Sequence, residues 1–176
     1  MAKAPDNQPS IGTRRVNVSR SDFDKLFYYE TPPNPFHPPG SFPGHEMFVL
    51  NDMVIKGAPL FGLVWFTGPQ EEKDVYKPHW HDDAEVMAVI GSDPNNPKEL
   101  NGEIEFWIED EKYLLTKSCM IYIPKGLQHA PMFPRRVDKP ILWTDTSPVG
   151  VMKLYYNTDP KWDRFKDAPQ LPEGMK

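Results

Sequence analysis

Two histidines, a glutamate and a third histidine have the residue types and spacing to hold a metal ion. They stand in His79-Trp80-His81-Asp82-Asp83-Ala84-Glu85 and in Pro124-Lys125-Gly126-Leu127-Gln128-His129. On a β-strand successive side chains point to opposite faces, so residues 79, 81 and 85 share one face. Two imidazoles and a carboxylate on that face, joined by an imidazole from a neighbouring strand, make a cage for a divalent cation. Neutral imidazole and ionised carboxylate are the forms that ligate, and both are available near pH 7. Four protein donors leave one or two positions open on an ion that prefers five or six, and open positions are what catalysis needs. The chain has five histidines. The other two, His37 and His45, fall among prolines, where exposed loop positions suit them better than ligation.

The elements that must position these side chains are short strands. Runs rich in Val, Ile, Phe and Trp cover 47–55, 60–67, 75–80, 84–90, 103–108, 113–116, 119–123, 141–146 and 151–156. Turn residues separate them, among them Lys56-Gly57-Ala58-Pro59, Gly68-Pro69 and Ser92-Asp93-Pro94-Asn95-Asn96-Pro97. Many short strands with turn signals between them predict an all-β sandwich or barrel. From Gly102 to Glu109 the alternation is clean, with Ile104, Phe106 and Ile108 on one face and Glu103, Glu105, Trp107 and Glu109 on the other. Residues 86–90 are apolar on both faces, which calls for a second covering layer from an arm or a partner subunit. The loop from Ser92 to Asn101 is long enough to project over or beside a pocket mouth.

Outside the strands the chain reads as arms. Residues 1–22 are polar and form an N-terminal tail, with one or two helical turns expected over Asp22–Tyr29. Residues 23–45 make a proline-rich arm, centred on Pro32-Pro33-Asn34-Pro35-Phe36-His37-Pro38-Pro39-Gly40, which excludes regular helix and central strand. Residues 46–157 form the barrel, and 158–176 a C-terminal tail with a short helix near Lys161–Lys166. The 21 prolines, against an average share of about 5%, fit loops and edges rather than long helices. A net charge of −5 and no basic cluster beyond Arg14-Arg15 and Arg135-Arg136 argue against nucleic acid as a partner. The single Cys119 suits a reducing compartment and reads as a small buried apolar residue. With no signal-peptide pattern and no apolar run long enough to span a bilayer, the expectation is a cytoplasmic protein without membrane attachment.

The two motifs together resemble the cupin superfamily. His79, His81 and Glu85 match its first motif, with Gly91 closing it one residue early, and Pro124, Gly126 and His129 match the second in full. Three positions depart from the pattern: Lys73 and Ser118 stand where glycines are usual, and Phe133 where an asparagine is frequent. The resemblance covers roughly residues 45–157 and implies a jelly-roll barrel, also called a double-stranded β-helix. It implies a metal at the barrel centre held by His79, His81, Glu85 and His129.

Strand alternation turns only some of Trp65, Phe66, Tyr76, Trp80, Trp107, Tyr122 and Trp143 inward. Trp80 lies between two ligands and must point away from them. Tyr122 is a candidate hydrogen-bond donor beside the cage, with plain core packing as the alternative. Asp82 and Asp83 are expected to make the turn after the histidine pair, with a general-base role for Asp83 as a remote option. The ligand set suits Fe, Mn, Ni or Zn. A metalloenzyme acting on a small oxygen-bearing molecule, by dioxygenase, isomerase or lyase chemistry, is the first functional expectation. A non-catalytic binding module with a structural or ligand-anchoring metal is the second. The two-sided apolar strand and the proline-rich arm lead to the expectation of a homodimer.

Overall fold

A computed structural model describes residues 27–29, 46–71 and 76–165. Apart from residues 27–29, the tail, the proline-rich arm and the helical turns expected near Asp22 lie outside the described residues, as do Lys73, His37 and His45.

Among the described residues, ten strands form two five-stranded sheets. They are β1 (Glu46–Leu50), β2 (Leu60–Phe66), β3 (His79–His81), β4 (Glu85–Gly91), β5 (Glu99–Ile108), β6 (Glu111–Lys117), β7 (Cys119–Ile123), β8 (His129–Val137), β9 (Ile141–Ser147) and β10 (Leu154–Tyr156). One sheet runs β1-β2-β9-β4-β7 and the other β10-β3-β8-β5-β6, and every pairing is antiparallel. Neighbours in each sheet are mostly distant in sequence, so the chain passes repeatedly between sheets, as in a jelly roll. The last element among the described residues is a short 3-10 helix at Pro160–Phe165, where a short helix is expected.

The alternation along each strand explains the core. Val64 and Phe66 of β2, Met87 and Val89 of β4, and Ile141 and Trp143 of β9 project from one sheet. They meet Leu100, Ile104 and Phe106 of β5 from the other. Burying each of these side chains contributes roughly 1.5–3 kcal/mol, before chain entropy is set against it. Phe66 and Trp143 stack with ring centroids 6.3 Å apart. The edge strand β6 carries Glu111, Lys112 and Lys117, charges that blunt pairing with another chain.

Several details differ from the sequence reading. The strand expected over 75–80 is β3 at His79–His81, because Pro78 cannot donate to a ladder and begins nothing before it. An unexpected strand, β8, carries Pro131 and Pro134, and its pairing with β5 shifts register between Glu103 and Ile104 and between Phe106 and Ile108. Those irregularities are what let prolines enter an inner strand. The loop after Gly91 does not overhang the cage. It leaves the end of β4 opposite to Glu85, about 20 Å away along the strand. Gly91 itself has a physical reason, since a Cβ there would stand 2.0 Å from the Glu99 carbonyl oxygen. Ser118, a departure from the family pattern, accepts the Gly91 N–H on its hydroxyl at 3.0 Å.

Candidate metal centre

The chain crosses from one sheet to the other at Asp82–Ala84, and this crossing makes the site. His79 and His81 stand on β3, and Glu85 opens β4 in the opposite sheet. The Pro124–Leu127 turn then delivers His129 to β8. Leu127 N–H donates to the Pro124 carbonyl at 3.1 Å, and Gly126 N–H donates to the His81 carbonyl at 2.9 Å. Gly126 sits at φ 79°, a conformation glycine adopts without a steric penalty. His79 and His129 are direct cross-strand partners.

The side chains of His81, Glu85 and His129 are all buried, and their donor atoms lie within 4.8 Å of one another. Glu85 Oε2 is 3.1 Å from Nε2 of both His81 and His129. His79 is outside that set of three. Its ring nevertheless packs on His129 with centroids 4.6 Å apart, and it lines the same cavity.

Each imidazole is anchored through its other nitrogen. Nδ1 of His79 is 2.7 Å from the Lys77 carbonyl oxygen, Nδ1 of His81 is 2.5 Å from that of Asp83, and Nδ1 of His129 is 3.0 Å from that of Leu127. A carbonyl oxygen only accepts, so each Nδ1 carries and donates a proton. In a neutral ring the lone pair then sits on Nε2. At His81 and His129 that lone pair faces the Glu85 carboxylate, which is repulsive unless a proton or a cation lies between them. The donor set therefore fits a divalent cation, and backbone carbonyls already hold the tautomer that ligation needs.

The electrostatics agree. Burial pushes the Glu85 carboxyl up, but Nε2 of His129 and of His81, which donate to it when those rings are protonated, outweigh burial and hold the group down at about 2. Burial pulls the His79 imidazole down to about 3, helped by neighbouring His129, so His79 is neutral at ordinary pH. At His81, burial is overcome by the hydrogen bond and charge of Glu85 and by the Asp83 carbonyl, and its affinity for a proton rises. A site that attracts a second proton to His81 attracts a cation by the same field.

The cavity beside these residues amounts to about 80 Å³, and its walls are mainly apolar, including Leu60, Phe66, Met87, Phe106, Met132 and Trp143. Tyr76 and Asp145 also line it. Trp80 points away from the cage as alternation requires, stacking on Tyr155 at 5.8 Å. Asp82 and Asp83 make the expected bend. The Asp83 carboxylate is not among the cavity-lining groups, and its contribution is the carbonyl that anchors His81. Tyr122 is a correction: it is 66% exposed on the outer face of β7. Ile123 and Ile121 take the inward positions, and alternation sends Tyr122 and Met120 to solvent.

Sequence reasoning passed over Asp145. It lies on β9 between Thr144 and Thr146, facing inward with Ile141 and Trp143. It is almost wholly buried, and its Oδ1 has no hydrogen-bond partner among the described residues. Burial, then the charge of Glu85, pushes its carboxyl up to about 7. The signal was available, since an acidic residue on the apolar face of a predicted strand is out of place.

No protein-family model and no curated protein sequence matches the chain. Solved structures do. Recombinant oxalate oxidase in complex with glycolate is 14% identical over 83% of this chain and 74% of that one, with a TM-score of 0.47. An RmlC-like cupin from Shewanella frigidimarina is 20% identical over 60% of this chain and 78% of that one, with a TM-score of 0.40. A sugar phosphate isomerase from a cupin superfamily, from Silicibacter pomeroyi, is 15% identical over 68% and 69%, with a TM-score of 0.44. The chain is similar to each of these in fold.

Proposed function

We propose that this barrel is a metal-binding cupin that holds one divalent cation on His81, Glu85 and His129, with His79 as fourth ligand. The observation that supports it is the set of Nδ1 anchors: three imidazoles are fixed by backbone carbonyls so that their lone pairs are on Nε2, two of them against one buried carboxylate. Fe, Mn, Ni or Zn would suit this donor set. When bound, such an ion supplies Lewis-acid polarisation of a carbonyl or hydroxyl oxygen and, for iron or manganese, redox chemistry.

The protein's own part follows from the cavity. Apolar walls exclude water and strengthen every charge interaction at the cage. Ligation would use ionised Glu85 and neutral imidazoles, so a bound divalent ion would keep part of its positive charge for a ligand oxygen. The small cavity suits a small oxygen-bearing organic molecule, turned over by dioxygenase, isomerase or lyase chemistry. A non-catalytic module with a ligand-anchoring metal is the second reading.

Elemental analysis of protein purified from its native source tests the metal. One equivalent of a transition metal is expected, and its identity separates redox from Lewis-acid chemistry. Less than about a tenth of an equivalent, persisting after reconstitution with Fe, Mn, Ni, Co and Zn, overturns the proposal. A homodimer belongs to the same proposal. It is supported by the apolar outer face of the β1-β2-β9-β4-β7 sheet, where Phe61, Ile90, Met120 and Tyr122 are exposed together. Sedimentation at the mass of one chain at every concentration would remove it. Among the described residues no helix is long and apolar enough to cross a membrane. The cytoplasmic assignment rests on the lone thiol, and fractionation of the native cell checks it.

A further inference from the structure

The cavity has a second polar feature besides the cage. Asp145 is 6% exposed and lines the cavity, and its Oδ1 lacks a hydrogen-bond partner among the described residues. An orphaned carboxyl oxygen in an apolar wall is unfavourable by itself. Yet the fold makes room for it. Gly62, the direct cross-strand partner of Asp145, would place a Cβ 1.8 Å from Asp145 Oδ1 and 2.8 Å from its Cγ. Only a glycine leaves that notch open. On the other side Asp145 pairs with Met87, so it stands diagonal to Glu85 across β4 and β9, roughly 7–8 Å away at the backbone.

From this placement, and resting on the metal reading above, we propose that Asp145 recognises a hydroxyl group on a compact, otherwise apolar ligand whose oxygen donor meets the cage. A hydroxyl is the group that suits this carboxyl best, because it donates to a carboxylate and accepts from a carboxylic acid. An ammonium pairs only with the ionised form and must shed its hydration in an apolar cavity. A cavity of about 80 Å³ is smaller than the roughly 150 Å³ that accommodates benzene, which limits the enclosed part of the ligand to a few heavy atoms. The diagonal spacing sets the two polar ends of the ligand two to four bonds apart.

Short carboxylic acids test this as matched probes. Butyrate, 3-hydroxybutyrate, 4-hydroxybutyrate and 4-aminobutyrate are titrated calorimetrically into cobalt(II)-loaded protein, and into D145L and D145N. The cobalt absorption bands report metal occupancy separately. In the native protein one hydroxy acid is expected to bind about tenfold more tightly than butyrate, the effect of one net hydrogen bond. That preference falls to about one in D145L and is partly kept in D145N, with cobalt stoichiometry unchanged in both. A hydroxyl preference near one, a preference that survives D145L, tighter binding of 4-aminobutyrate, or no binding of any acid overturns the assignment. If cobalt does not bind, the metal reading fails on its own. The same acids titrated into the metal-free protein then still report the Asp145 preference, and the comparison of native protein with D145N stands if D145L does not fold.

Discussion

One cavity contains two buried carboxyl groups in opposite circumstances. Glu85 is met by two imidazole nitrogens at 3.1 Å and is held at about 2. Asp145, on the adjacent strand, is met by backbone N–H groups of Gly62 and of its own residue but keeps one orphaned oxygen, and burial and the charge of Glu85 push it up to about 7. Burial acts on both in the same direction. What separates them is the company each keeps, and so one is fitted to bind a cation and the other to exchange hydrogen bonds with something uncharged.

The sharpest way to break this contrast is to remove the carboxylate at the cage. Glu85→Ala should weaken metal binding by more than about a thousandfold, since ligands themselves matter more than the supporting groups that already change affinity 10–100-fold. Competition against a chromophoric chelator measures it, and near-native affinity would mean the cage is not the site.

Asp145→Asn tests the other side, through pH. The folded pKa of Asp145 is raised above its ordinary value of 3.8 to about 7, so the folded state holds a proton that the unfolded chain releases. Its contribution to stability is fully present below pH 3.8 and is lost as pH rises through 7. The asparagine variant lacks this loss. In metal-free protein it should therefore gain on the native chain across that window, levelling off above pH 7 at no more than about 4 kcal/mol. Urea titrations at pH 4.5 and 8 check the sign, and a difference that shrinks with rising pH contradicts it. Gly62→Ala pushes a methyl group into the Asp145 carboxyl and should cost about 1–3 kcal/mol at any pH. A melting temperature equal to that of the native protein would show the notch to be slack. At the small end, Tyr122→Ala on the outer face should change monomer stability by less than about 0.5 kcal/mol and leave metal affinity unaltered.

The same contrast marks what the sequence makes legible. Strand alternation places His79 and His81 on one face, and the Pro124-Lys125-Gly126 turn announces where His129 arrives. Both inferences need only local geometry. Glu85 instead reaches them from β4 of the opposite sheet, after the bend at Asp82–Ala84, and not along the same strand. Asp145 carried a signal too, but a single acidic residue on an apolar strand face offers no spacing pattern to read. Its meaning depends on Gly62, which lies 83 positions earlier and meets it only across the β2–β9 ladder. β8 was hidden because Pro131 and Pro134 argue against an inner strand, and the register shifts that admit them are a property of the pairing with β5. Tyr122 was misplaced for a simpler reason: alternation gives the period of a strand but not which phase faces inward, and Ile123 settles the phase only once β7 is paired with β4.

The hydrogen bond from Gly126 N–H to the His81 carbonyl has a consequence for how an ion enters. It ties the two motif-bearing segments together through backbone alone, with no participation by the ligating atoms. The site is thus assembled by the folding of the chain, and loading need not wait for the chain to close around its cargo. A chelator should strip the protein of metal without unravelling it, in contrast to small zinc domains, whose fold and ion come and go together.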